Sequence, residues 1–231
     1  MSRAATPALP LLTGSTLSPV SVGWERRVQE TRASVLAAVG EIISESGLEG
    51  LTMRRLAERA GVAVATLYNQ FGDRDGVIVA FVADGLDDLE GQLDAQPATA
   101  PIDTTRELFR ALDDIVAADV DVWRPVFASL QAGTGGLGMG ALGDRVIAFV
   151  EGDLAKAAAE GAFAVEVDTA TLARHIFVSR LSRLERWAQG TIEWGQYQDS
   201  SHLGLELILA SVLAEPQRST ALRRSGVVAS E

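Results

Sequence analysis

Apolar residues recur every three or four positions along most of this chain, and no stretch alternates with period two over a useful length. Between Trp24 and Ser46, Val28, Val35, Leu36, Val39, Ile42 and Ile43 share one face. Glu25, Arg26, Arg27, Glu30, Arg32, Glu41 and Glu45 cover the other, and Gly47 marks the end. Leu51, Leu56, Ala57 and Ala60 then give a short helix with Thr52 at its N-cap position and Gly61-Val62 as its stop. Val64 to Gln70 restarts the helical pattern with Leu67 inward, and Phe71 closes the unit. From about Arg74 to Leu93, Val77, Ile78, Phe81, Val82, Leu86 and Leu89 point inward behind Asp73 as cap. Further helices are predicted from Asp103 to Ala118, capped by Asp103 or Thr104, and around the stripe Trp123, Val126, Phe127 and Leu130. Others run over 144–161, over 168–189 with Gly190 as stop, and from Ser200 or Ser201 to Leu213. Residues 96–101 form a break, and the six glycines of Gly133–Gly143 read as a flexible loop.

This pattern predicts an all-α chain. An N-terminal three-helix unit over 24–72, whose second and third helices form a helix-turn-helix of the DNA-binding kind, precedes a larger C-terminal helical domain over 73–214. Residues 1–23 hold three of the seven prolines and one charge, Arg3, and read as a disordered arm. The sharper alternative, an arm touching the DNA minor groove, has only that single Arg behind it. Residues 215–231, beginning around Pro216, read as a loose tail.

Charge changes the picture once it is divided. The 231 residues carry a net charge of −11, which taken whole argues against a nucleic-acid partner. Residues 24–76 hold seven Arg against eight Asp and Glu, so most of the acidity lies elsewhere. Within 51–74 the sign reverses, with Arg54, Arg55, Arg59 and Arg74 against Glu58 and Asp73. Arg outnumbers Lys nineteen to one over the whole chain, which reads as genomic composition rather than design. The absence of cysteine excludes disulfides, a thiolate nucleophile and Cys-ligated zinc. No 18-residue apolar run exists, so no membrane partner is expected and a cytoplasmic location is.

The segment from Leu51 to Asp75 carries the chemistry. Its second helix can enter the major groove. Val64 and Ala65 are small and apolar and can meet thymine methyls, while Asn69 and Gln70 carry amides that can pair with adenine or with phosphate. LTMRRLAERAGV (Leu51–Val62), TLYNQF (Thr66–Phe71) and Asp73-Arg74-Asp75 resemble the TetR (tetracycline-repressor-like) family of transcriptional regulators. The motif match covers roughly residues 25–80. The resemblance implies a DNA-contacting set of Thr52, Arg54, Val64, Ala65, Thr66, Tyr68, Asn69, Gln70 and Arg74. In it Thr66 and Tyr68 contact phosphate, Arg74 stands for the usual phosphate-gripping Lys, and Arg54 for a base-reading position. Arg55 and Arg59 are expected to be solvated or paired with Glu58. Two residues depart from the family pattern. Ala63 stands where a capping Ser or Thr is usual, a loss of about 1 kcal/mol, and Gln70 stands where His is common, so family base preferences do not transfer.

One such helix covers few base pairs, so a homodimer reading a palindrome on double-stranded DNA is expected. The last two strong helices are apolar over more than one face. They are the candidates for a dimer interface through Leu184, Trp187, Leu205, Ile208, Leu209 and Val212, unless both are simply internal core. Trp187 to Ile192 resembles a Trp-x-x-Gly feature of the family. The resemblance also implies a pocket for a small apolar or amphipathic effector, for which Phe109, Leu112, Trp123, Phe127, Met139, Val150, Phe163, Phe177 and Leu181 are the candidates.

Other chemistry is poorly supported. Gly133-x-Gly135-x-x-Gly138 and Gly138-x-Gly140-x-x-Gly143 match a dinucleotide fingerprint but lack the flanking strands it needs. His175 and His202 lack metal-ligand spacing, and the adjacent pairs Asp87-Asp88 and Asp113-Asp114 diverge around their helices. No catalytic residue, metal or cofactor is expected. The expectation is a regulator, most often a repressor, released from DNA by its ligand. The alternative is a helical ligand-binding protein or enzyme with a degenerate helix-turn-helix.

Overall fold

The computed structural model describes residues 19–95, 100–132 and 137–228, and they form helices and turns throughout. Helix α1 (Pro19–Ser46) begins earlier than its apolar stripe, with Pro19 at the first position, where a missing N–H costs nothing. Residues 19–23 are therefore helical rather than part of an arm, and residues 1–18 lie outside the described residues. A 3-10 turn (Leu48–Gly50) leads to α2 (Met53–Ala60) and α3 (Val64–Phe71). Gly61, at φ 68°, makes the left-handed turn between these two helices that a side-chain-bearing residue would resist. Helix α4 (Arg74–Asp94) follows, with the Asp73 carboxylate accepting from the Gly76 amide at 2.8 Å.

The core of this N-terminal unit takes Val35, Val39, Ile42 and Ile43 from α1, Leu48 and Leu51 from the turn, and Leu56, Leu67, Val77 and Ile78 from the helices after it. It does not close at residue 72. Val126 and Leu130 of α6 (Val120–Ala132) and Leu142 of α7 (Leu137–Ala159) complete the same cluster.

The second core joins the end of α4 to α5 (Asp103–Ala118), α7, α8 (Thr169–Ala188), α9 (Trp194–Val212) and α10 (Gln217–Arg224). Helix α7 packs on α8, α8 on α9 and α9 on α10. A third, aromatic cluster at one end gathers Trp187 and Tyr197 with Trp123, Phe127 and Trp194.

Four local expectations fail for identifiable reasons. Helix α5 is capped by neither Asp103 nor Thr104. Asp153, reaching across from α7, accepts from the Thr105 amide at 2.8 Å and its hydroxyl at 2.7 Å, so the cap is tertiary. Gly138, Gly140 and Gly143 lie in α7 rather than in a loop; residues 133–136 fall outside the described residues. A Cβ at Gly143 would sit 2.7 Å from the Phe177 ring, so this glycine serves close helix packing. Helix α9 begins at Trp194, six residues before the Ser200 expected to open it, where the Glu193 amide donates to Gln196 Oε1 at 2.9 Å. The segment after Pro216 is the helix α10, anchored by a fully buried Ala221, rather than a loose tail.

Helices α5 and α9 are tied by an ion pair. Arg106 meets Glu206 through Nε at 2.8 Å and Nη2 at 2.9 Å, and Glu206 is fully buried. Removing one partner leaves the other charged and desolvated. Glu206→Ala is expected to lower the unfolding free energy by about 3 kcal/mol. An Arg106→Met/Glu206→Leu double variant should lose much less, and urea denaturation followed by circular dichroism compares them. A double variant as unstable as the single one would contradict this account.

Candidate nucleic-acid interface and ligand cavity

Helix α3 is held by one fully buried side chain, Leu67, and by Phe71, whose ring lies 5.5 Å under the Arg32 guanidinium of α1. Around the inward Leu67 the helix leaves Val64, Ala65, Tyr68 and Asn69 open to solvent on one contiguous face. Val64 is 38% and Tyr68 52% exposed, unusual for large side chains with nothing covering them. Thr66 and Gln70 flank this face half-buried, and Gln70 Oε1 is buried without a hydrogen-bond partner among the described residues. Thr52 caps α2 as expected, its hydroxyl accepting from the Arg55 amide at 3.2 Å. Ala63 holds the extended conformation of a cap residue, φ −72° and ψ 144°, but offers α3 no side-chain bond.

The arginines divide sharply. Arg54 is exposed and, among the described residues, pairs with Glu58 of its own helix, at 3.0 Å. Such a pair is worth little in water and exchanges readily for phosphate. Arg55 and Arg59 are not paired with Glu58. Arg55 reaches Ser46 Oγ at 2.6 Å and Glu45 at 3.2 Å, and Arg59 reaches Glu41 at 2.9 Å and Glu45 at 2.7 Å. The Arg59 hydrogen bond in turn holds the Glu45 carboxyl below its ordinary range. These two cations clamp α2 to α1. Arg74 donates through Nη2 to the Leu48 carbonyl at 2.7 Å and is half-buried, so it bridges the 3-10 turn and α4.

The C-terminal helices enclose a cavity of about 540 Å³. Six of the expected pocket residues line it: Phe109, Leu112, Trp123, Phe127, Phe177 and Leu181. Val150 does not, being fully buried in the second core. Phe163 does not either, since it packs on that core and pairs as an isolated bridge with Leu213. The Met139 side chain lies outside the described residues. Sequence reasoning missed Phe81, Trp194 and Tyr197 in the lining, and it missed that the cavity reaches Ala33, Leu36 and Ala37 of α1. A polar cluster interrupts its apolar wall, and Asp84 and Asp88 lie at its exposed edge. Arg180 pairs with Asp113, its guanidinium 4.5 Å from the Phe109 ring centre and 5.3 Å from that of Tyr197. The Tyr197 hydroxyl donates to Asp113 at 3.3 Å. Burial pushes the Asp113 carboxyl above its ordinary range, against the pull of Arg180. A larger concavity of about 890 Å³ between α5, α9 and α10 is open, and its walls hold the paired charges Arg106, Glu206, Arg110 and Glu107.

The expected dimer residues need the most correction. Trp187 is fully buried in the aromatic cluster, and Leu205 and Leu209 are buried in the second core. A single subunit already covers them. Leu184 lines the cavity, while Ile208 and Val212 stay partly exposed. The outward apolar side chains of α8 and α9 are Val178 and Leu207, 53% and 40% exposed.

A short helix, a left-handed glycine turn and a second helix with one open face define the helix-turn-helix class. Residues 35–81 match the family model described as bacterial regulatory proteins, tetR family. The chain is 34% identical over 90 residues to the HTH-type transcriptional regulator BetI of Burkholderia thailandensis, a match covering 39% of this chain. The match spans only 44% of that relative's length. Among solved structures, the fold is similar to a TetR-family transcriptional regulator from Pectobacterium atrosepticum, with a TM-score of 0.64 and 24% identity over 83% of this chain and 98% of that one. It is also similar to Thermus thermophilus FadR, a TetR-family transcriptional repressor in complex with lauroyl-CoA. There the TM-score is 0.63 and the identity 19%, over 80% of this chain and 96% of that one. Among the described residues no helix is long and apolar enough to cross a membrane.

Because Ala63 already has cap geometry, Ala63→Ser should stabilise α3 by about 1 kcal/mol. The expected readout is a raised melting temperature together with slower amide exchange in α3. No gain in either would mean that the start of α3 is fixed by packing alone.

Proposed function

We propose that this protein is a DNA-binding transcriptional regulator. It acts as a repressor, binds a palindromic operator as a homodimer, and is released by a small ligand in the C-terminal cavity. The observation that carries the reading is the open face of Val64, Ala65, Tyr68 and Asn69 on a helix fixed from behind by Leu67. Val64 and Ala65 are suited to thymine methyls, Asn69 to an adenine edge, and Tyr68 and Thr66 to phosphate oxygens. Arg54 and Gln70 extend that set. Arg74 contributes mainly by fixing the start of α4, where the helix N-terminus itself favours a phosphate. The dimer is assigned to the outer faces of α8 and α9, around Val178, Leu207, Ile208 and Val212.

Helix α6 supplies the link between ligand and DNA. Trp123 and Phe127 face the cavity, while Val126 and Leu130, on the adjoining face, belong to the N-terminal core, where α6 packs on α4 and the 3-10 turn. Ser129 also donates to Asp75 of α4 at 3.3 Å. A ligand that moves α6 would shift its packing on α4 and on the 3-10 turn, the two elements that flank the helix-turn-helix. A coupling of about 1–3 kcal/mol changes DNA affinity about 5–150-fold.

A ligand-binding protein with a degenerate helix-turn-helix is the second reading. It is favoured by the intramolecular use of Arg55, Arg59 and Arg74, which leaves little free positive charge. Fluorescence anisotropy with DNA flanking the protein's own gene separates the two. The regulator should bind with an affinity that falls steeply as salt rises. Tyr68→Ala should weaken binding at least about tenfold, the loss of roughly 1.4 kcal/mol, with an unchanged melting temperature. Absence of binding at low salt to any such DNA would leave the second reading.

A further inference from the structure

The cavity touches the first helix of the N-terminal unit directly, with no part of α6 between them. Leu36 of α1 is buried and lines the cavity. Ala33 and Ala37 line it too, but they are exposed, as are Gly85 of α4 and Ile115 of α5. Exposed lining residues mark an opening, so the cavity opens where α1, α4 and α5 meet. A further contact runs through α4. Phe81 lines the cavity and lies against Gly40 of α1, where an added Cβ would sit 3.5 Å from its ring. An occupant that displaces Phe81 therefore presses it on α1.

The same helix holds α2 farther along. Ala33, Ala37, Glu41 and Glu45 follow one another at intervals of four, a single ridge of the α1 surface. The first two border the cavity. The last two grip α2, with Glu41 on Arg59 and Glu45 on both Arg55 and Arg59. Helix α1 runs without a break from Pro19 to Ser46, so a displacement at Ala37 reaches Glu41 one turn later and Glu45 one turn after that. Helices α1 and α2 also share the core of Val35, Val39, Leu56 and Ala57. A close-packed core passes such a displacement on rather than absorbing it.

We propose that α1 is a lever moved directly from the cavity. A molecule that fills the cavity out to its opening pushes the Ala33–Ala37 ridge away from α4 and α5. Glu41 and Glu45 then carry the movement through Arg59 and Arg55 into α2, and so change the aim of α3. This rests on the reading of the cavity as a ligand site and of α3 as the DNA contact. It adds a second route to the one through α6, and this one begins on the DNA-binding unit itself.

The chain has no cysteine, so one introduced thiol can be loaded selectively. Benzyl methanethiosulfonate on an Ala37→Cys variant places an apolar ring at the opening through a disulfide that dithiothreitol removes. The full-length protein is then compared with itself before and after reduction, by fluorescence anisotropy with DNA flanking its own gene. The benzylated form should bind at least about tenfold more weakly, and reduction should restore it. Ala33→Cys should behave alike. Benzylated Ala155→Cys, exposed on α7 and outside both linings, should differ from its reduced form by less than about twofold. Adding Glu41→Gln and Glu45→Gln to Ala37→Cys should shrink the effect of the benzyl group below about threefold, because the clamp that passes it on is gone. The lever is overturned if the benzyl group changes nothing at Ala33 and Ala37, if it acts as strongly at Ala155, or if it acts equally with and without the two glutamates. Loss of far-UV circular dichroism on benzylation at both Ala33 and Ala37 overturns it as well, since the effect would then be unfolding. In each of these cases DNA binding by the reduced protein leaves the regulator reading standing. If the reduced forms bind no DNA at low salt, both fall together.

Discussion

Two side chains of α6, Val126 and Leu130, hold the molecule's two halves in one packing unit. They are 2% and 4% exposed, and they are buried in the core built by α1, α2, α3 and α4. Burial of each contributes roughly 1.5–3 kcal/mol, a large share of what a three-helix unit can gather alone. Helices α2 and α3 are therefore not an independent module on a tether. Because interiors are close-packed, α6 cannot slide or roll without disturbing its packing on α4 and on the 3-10 turn that leads into α2. Pro125 lies between the cavity-facing Trp123 and the core-facing Val126 and removes one backbone hydrogen bond from the middle of α6. The element that must transmit a displacement is thus also the one with a soft point.

The same economy governs the charges of the N-terminal unit. An isolated reading of Leu51 to Arg74 counts four arginines as a basic footprint. In the fold, Arg55 and Arg59 are used to fasten α2 against Glu41 and Glu45 of α1, and Arg74 fastens the 3-10 turn to α4. Exposed pairs of this kind add little stability singly. Glu45, however, receives two arginines from successive turns of α2, so the three side chains fix the rotation of α2 about its own axis. That rotation sets where Gly61 sends the chain, and hence the aim of α3. Positive charge is spent here on orientation, and the contact surface is left to neutral groups and to Arg54.

Much of this was legible in the sequence, and the failures have a common cause. Thr52, Gly61, Leu67 and Asp73 act locally, through caps, a turn and one apolar period, and local signals survive without knowledge of the fold. The α5 cap failed because its carboxylate, Asp153, comes from 48 residues away. The glycines of α7 read as a loop because their role, admitting the Phe177 ring, belongs to another helix. Helix α10 has little apolar character of its own and is helical because Ala221 is buried against the second core. The interface residues failed most instructively. A helix apolar over more than one face can be covered by its own chain, and Trp187, Leu205 and Leu209 are. The cavity was half-read because aromatic residues on predicted helices identify a lining but not its edges. Phe81 and Trp194, on α4 and at the start of α9, join it only through the way the helices meet.

On the proposed reading an acidic chain approaches a polyanion, and it needs a reason for tolerating its own charge. Outside residues 24–76 the chain holds thirteen basic against twenty-three acidic residues. At physiological salt the Debye length is about 8 Å, so carboxylates several turns away along the fold are screened from duplex bound at α3. They are not screened from a ligand entering between their own helices. The same acidity therefore acts weakly on duplex held at α3.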